Sequence, residues 1–101
     1  MKSVPNGEIP SSPGGKPITH LTMLAERLRA EGWYARVMGS CKAPSVRVVN
    51  PTTPPLNDDI TVGPDGAGLW WFRWSFGVRI AHVDNLDIAA ARIIQVLSPT
   101  H

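Results

Sequence analysis

The chain has a single cysteine, Cys41, so no internal disulfide can staple the fold, in keeping with a reducing compartment. No apolar run approaches the roughly 20 residues that span a bilayer. The opening residues Met1-Lys2-Ser3-Val4-Pro5-Asn6-Gly7 also lack the apolar stretch of a signal peptide, and a cytoplasmic protein without a membrane partner is expected. Charge is scarce in both signs: ten Lys and Arg against eight Asp and Glu leave +2. That balance permits an anionic partner without demanding one. The three histidines, His20, His82 and His101, stand far apart from one another and from Cys41, so no metal or cofactor is expected.

Aromatic residues are also few, and they are concentrated. The stretch Gly68 to His82 holds three of the four tryptophans and both phenylalanines. Read as a central β-strand, it points Trp70, Phe72, Trp74 and Phe76 to one side and Leu69, Trp71, Arg73 and Ser75 to the other. The first set is a candidate core.

With 101 residues, the chain can form one small domain. Residues 1–17 are rich in Pro, Gly and Ser and read as a disordered tail; residues 18–98 read as a single α+β domain. Apolar Leu21, Leu24, Ala25 and Leu28 fall three and four apart, which predicts an amphipathic helix with Thr19 as N-cap and Gly32 as its stop. Alternation then predicts strands over Trp33–Met38, Ser45–Val49 and Asp59–Val62. The Asp65-Gly66 pair predicts a tight turn into the aromatic strand. Gly77 interrupts that strand, so Val78–His82 either continues it past a bulge or turns over as a fifth strand. Asp84 or Asn85 is expected to cap a last helix that carries Leu86, Ala89, Ala90, Ile93, Val96 and Leu97 and ends at Ser98-Pro99. The fold expected is a two-layer sandwich of helix, four-stranded antiparallel meander and helix, with both helices on one face of the sheet.

Few residues suggest chemistry. The glycine-rich Gly63–Gly68 segment opens a strand, whereas a phosphate-binding loop opens a helix. Asp58 and Asp59 are adjacent on a strand and point to opposite faces, which is wrong for a shared-proton pair. His82 lies beside Asp84, and Cys41 has one neighbouring cation in Lys42; the bland readings, a capping residue and a spectator thiol, are preferred for both. No catalytic residues are assigned, and no enzyme is expected.

The outer face of the sheet remains. On the phases above it collects Tyr34, Arg36, Met38, Arg47, Val49, Thr61, Trp71 and Arg73, with guanidinium groups between aromatics and no carboxylate. Such a face suits a protein partner or a second copy of the chain. It also suits stacking of exposed bases, or solvated cation–π pairs with no partner at all. The reading adopted is an interaction or regulatory accessory module that binds a protein partner, or itself as a homodimer, through Tyr34, Arg36, Arg47, Trp71 and Arg73, with Trp71 as anchor. Single-stranded nucleic acid on the same face is the alternative.

Leu24-Ala25-Glu26-Arg27-Leu28-Arg29-Ala30-Glu31-Gly32-Trp33, Val48-Val49-Asn50-Pro51, Val62-Gly63-Pro64-Asp65, Trp70 to Trp74 and Ala89-Ala90 together resemble a set of small actinobacterial proteins of unknown function. The resemblance implies a compact domain and, as context only, a gene neighbourhood with regulators. It implies no active site.

Overall fold

The computed structural model describes residues 17–39 and 43–99. The tail residues 1–16, Cys41 with its neighbours Ser40 and Lys42, and His101 lie outside them, as do the expectations placed on those residues. Two helices and a five-stranded antiparallel sheet make up the fold: α1 (Pro17–Ala30), β1 (Tyr34–Gly39), β2 (Pro44–Val49), β3 (Asn57–Pro64), β4 (Trp70–Arg73), β5 (Arg79–His82) and α2 (Leu86–Val96). The strands lie side by side in chain order. Among the described residues no helix is long and apolar enough to cross a membrane.

The α1 helix starts earlier than expected, at Pro17, whose fixed φ suits a first turn, so Thr19 lies inside the helix and does not cap it. The far end follows the rules for a glycine stop. Gly32 takes φ +86°, its N–H donates to the Arg29 carbonyl, and Trp33 N–H donates to the Leu28 carbonyl. This pair of bonds is a Schellman closure, which satisfies carbonyls a helix end leaves free. The predicted stripe of Leu21, Leu24, Ala25 and Leu28 is fully buried. It packs on β1, β2 and β3, while α2 packs on β5 and α1.

One core joins these elements: the α1 stripe, Ala35 of β1, Val46 and Val48 of β2, Ile60 of β3, Phe72 of β4, Ile80 and Ala81 of β5, and Ala89, Ala90 and Ile93 of α2. Phe72 is its largest fully buried side chain; truncation to Ala at such a site costs about 3–5 kcal/mol.

The aromatic stretch departs from the four-strand expectation. β4 is only Trp70–Arg73, and the chain turns over at Ser75–Val78 into a fifth strand. Trp74 N–H donates to the Val78 carbonyl and Gly77 N–H to the Trp74 carbonyl, with Gly77 at φ +89°, a backbone region that glycine enters without a Cβ penalty. Phe76 therefore leaves the core face and is 70% exposed, stacked on the buried Trp74. The β3–β4 turn also differs: Gly68, not Gly66, takes the positive φ, because the loop runs from Asp65 to Leu69 with Asp65 N–H donating to the Leu69 carbonyl.

Asn50, 3% exposed, is the only buried polar side chain among the described residues. Its Oδ1 accepts from the Thr52 N–H at 2.8 Å, the Thr53 N–H at 3.0 Å and the Thr52 hydroxyl at 2.9 Å, and its Nδ2 donates to the Leu97 carbonyl at 2.8 Å. The amide thus shapes the β2–β3 loop and ties it to the end of α2. Asn50→Ala leaves these partners unpaired, and a loss of about 2–3 kcal/mol in urea unfolding is expected. Asn50→Asp keeps the loop acceptor and loses the donor to Leu97, so at neutral pH it is expected to be destabilised by a comparable amount.

Candidate functional site

Backbone pairing places the predicted site residues on the sheet surface opposite the core. Arg36 stands across from Arg47, Tyr34 across from Val49, and Thr61 across from Arg73. Side chains directly opposite on antiparallel strands share a face. Arg47, Asp59, Trp71, Arg73, Arg79 and His82 share that surface through the pairs Arg47↔Asp59, Trp71↔His82 and Arg73↔Arg79. The face therefore carries the carboxylates of Asp59 and Asp65, contrary to the expectation that it has none. Period-2 alternation from the inward Ile60 already places Asp59 outward; Asp65 gave no such signal, because its role depends on how the loop folds back.

The face divides into two parts. On β3–β5 most polar groups are engaged. Trp71 is half-buried, and its indole Nε1 donates to Asp65 Oδ2 at 2.8 Å. Its ring packs against His82 at 4.6 Å between centroids, and the Arg79 guanidinium lies 4.9 Å from its centre. Asp65 Oδ1 in turn accepts from the N–H groups of Ala67 and Leu69, so one carboxylate both builds the hairpin loop and fixes the indole. Arg73 Nη2 donates to the Pro64 carbonyl at 2.9 Å. A Cβ at Gly63 would sit 3.9 Å from the Arg73 guanidinium carbon, so the side chain lies across the strand over the glycine.

On β1–β2 the face is more open. Arg47 pairs with Asp59 through both ends, Nε to Oδ1 at 2.6 Å and Nη2 to Oδ2 at 3.3 Å, a two-point contact that only a guanidinium makes. Tyr34 is 48% exposed and Met38 42% exposed. Arg36 is exposed between them and makes no hydrogen bond or ion pair to a described residue.

Asp58 points away from Asp59, as expected, and its carboxylate accepts from the Ser75 N–H and hydroxyl, which holds the β4–β5 turn. Asp84 lies close enough to His20 to favour its charged form, a proximity between distant elements that spacing does not reveal, and the buried His20 Nε2 has no hydrogen-bond partner among the described residues. Among the described residues no three metal-ligating side chains come together.

These features define a small α+β domain with an antiparallel sheet, one face of which is half engaged and half open. Comparison with protein-family models, with curated proteins and with solved structures finds no match to the chain.

Two groups link this geometry to pH. The bond from Trp71, then the backbone donors of Leu69 and Ala67, hold the Asp65 carboxyl below its ordinary value. Its contribution to stability is therefore complete above about pH 4 and is lost as pH falls through the lower, folded value. Burial lowers the His20 pKa, opposed by Asp84; a base lowered on folding contributes fully above about pH 6.5 and loses that contribution as pH falls. Urea unfolding followed by tryptophan fluorescence is expected to show both windows. Asp65→Asn should flatten the acidic window near pH 4, and His20→Gln should flatten the one below about pH 6.5.

Proposed function

We propose that the chain is a non-enzymatic accessory module, a two-layer sandwich with both helices on the Phe72 side, that binds a partner protein through its open sheet face. The observation that carries this reading is the open half of that face: Tyr34 and Met38 are exposed on one strand with Arg36 between them. Aromatic residues, Met and Arg are the types enriched at protein interfaces. Trp71, taken from sequence as the anchor, is held by Asp65, His82 and Arg79; it serves better as a rigid wall beside the site, and Tyr34 takes the anchoring role. Arg47 and Arg73 are likewise occupied, and they frame the contact.

Charge selects among partners. Arg36, Arg47, Arg73 and Arg79 outnumber Asp59 and Asp65 on this face, so a twofold contact of the face with itself sets like charges together, whereas an acidic partner is attracted. Single-stranded nucleic acid has less support, because both carboxylates lie among the residues its phosphates would approach.

The test is capture from nuclease-treated extract of the source cells on immobilised parent chain, Tyr34→Ala, Arg36→Glu and, as a control on the helix side, Ile88→Ala. A protein retained by the parent and by Ile88→Ala, and weakened about 10-fold or more by each face variant, is expected, since loss of an interface anchor costs 2 kcal/mol or more. Retention that vanishes with nuclease, or is indifferent to Tyr34 and Arg36, overturns the reading.

A further inference from the structure

An antiparallel sheet of five strands has two outer edges, here β1 and β5. An edge strand offers unpaired N–H and C=O groups to any other strand, including one from a second copy of the chain. In both edge strands an arginine from a helix occupies an edge carbonyl. Arg29 Nε of α1 donates to the Ala35 carbonyl of β1 at 2.7 Å. Arg92 Nη1 of α2 donates to the Ile80 carbonyl of β5.

Each bond has its own local cause. The Schellman closure at Gly32 returns the chain so that Arg29, in the last turn of α1, lies beside the strand that begins two residues after the glycine. Arg92 lies midway along α2, which packs directly on β5. Neither arginine takes part in the sheet face described above. Neither is needed to neutralise a carboxylate through a hydrogen bond, and the shared feature is a strand carbonyl at the sheet border.

We infer that Arg29 and Arg92 are edge guards that stop the sheet from extending onto a second copy of this chain. In a strand the N–H and C=O of one residue point to the same side and alternate from residue to residue. Ala35 and Val37 thus share the free border of β1, and a strand added there needs the Ala35 carbonyl as an acceptor. A guanidinium bonded to that oxygen removes the acceptor and sets a permanent charge where the incoming strand would lie. At β5 the same device acts on a strand only four residues long, beside a register irregularity at Phe72/Arg73 that adds twist to the edge.

The test compares the parent with Arg29→Met, Arg92→Met and the double variant. Methionine keeps an aliphatic stem over the same surface and removes the donor and the charge. Solution mass by light scattering over a 100-fold range of concentration is expected to rise at least twofold above the parent value in the double variant. Amide exchange at Val37 is expected to slow at least 10-fold in Arg29→Met at high concentration. Arg29→Lys and Arg92→Lys, which keep a charge at the edge, are expected to stay at the parent mass. Folding is checked by circular dichroism, and if the double variant does not fold the single variants decide. Folded variants that keep the parent mass and the parent exchange at Val37 overturn the inference. So does association in which Val37 exchange is unchanged, because the contact then lies elsewhere.

Discussion

The side chain of Asn50 ties the loop between β2 and β3 to the end of α2. The carboxamide closes the loop between β2 and β3 with its oxygen and holds the last turn of α2 with its nitrogen. Asn50 and Leu97 lie 47 positions apart in the chain, so this bond fixes the end of α2 against the turn between β2 and β3. A buried amide with all its partners is worth more than its pairwise bonds suggest, because low local polarity penalises every alternative arrangement in which one is missing. Much of the packing of α2 on β5 and α1 is apolar, and such contacts carry no direction of their own. The directional bond to Leu97 gives that packing a register along the helix axis, and with it the position of Arg92 at the edge of β5.

On the other side of the sheet the sequence supplies more cations than acceptors, and the structure distributes them unequally. Asp65 commits one oxygen to the hairpin loop and the other to the Trp71 indole, while Arg79 covers the ring. Asp59 commits both oxygens to Arg47. What remains unpaired is Arg36 on the outer strand, which has no carboxylate among its cross-strand neighbours. Two acids thus suffice to make most of the face rigid, and they leave its reactive character at the border formed by Tyr34, Arg36 and Met38. Rigid surroundings favour binding, since side chains held before a partner arrives lose little freedom on contact.

The elements legible in the sequence were those with strong periodicity. The stripe of α1, the alternation in β1 and β2 and the apolar pattern of α2 each reflect one buried face, and the helix and strand types follow from it. The outward direction of Tyr34, Arg36, Arg47, Trp71 and Arg73 follows from the same alternation. Two features escaped it. Gly77 was visible as an interruption, yet period-2 reasoning carried Phe76 into the core across a turn that reverses the chain. The state of each outward side chain was also hidden: alternation says which way Trp71 points, and nothing local says that Asp65, six residues earlier, waits for its N–H. Asn50 reads as turn chemistry because Asn-Pro explains itself locally. Its partner at Leu97 belongs to tertiary structure, which a window of ten residues does not contain.

The arginines make the same point in the opposite sense. By composition, seven guanidinium groups in a chain of low net charge permit an anionic partner without demanding one. The structure divides them by what they meet. Arg27 bridges Glu31 and Asp87 between the helices, a contact of small energetic worth at an exposed site. Arg47 and Arg79 serve the sheet face, Arg73 spans Gly63, and Arg29 and Arg92 reach strand carbonyls at the two borders of the sheet. A planar fork with several donors can bond a carboxylate, an aromatic face or a backbone oxygen without change of charge, so one residue type fills all three tasks. Only Arg36 is left without any of them. Among the described residues, where an arginine reaches each edge of the sheet and the other arginines are engaged, the guanidinium of Arg36, exposed beside an exposed tyrosine and methionine, is where the domain has interaction capacity to spare.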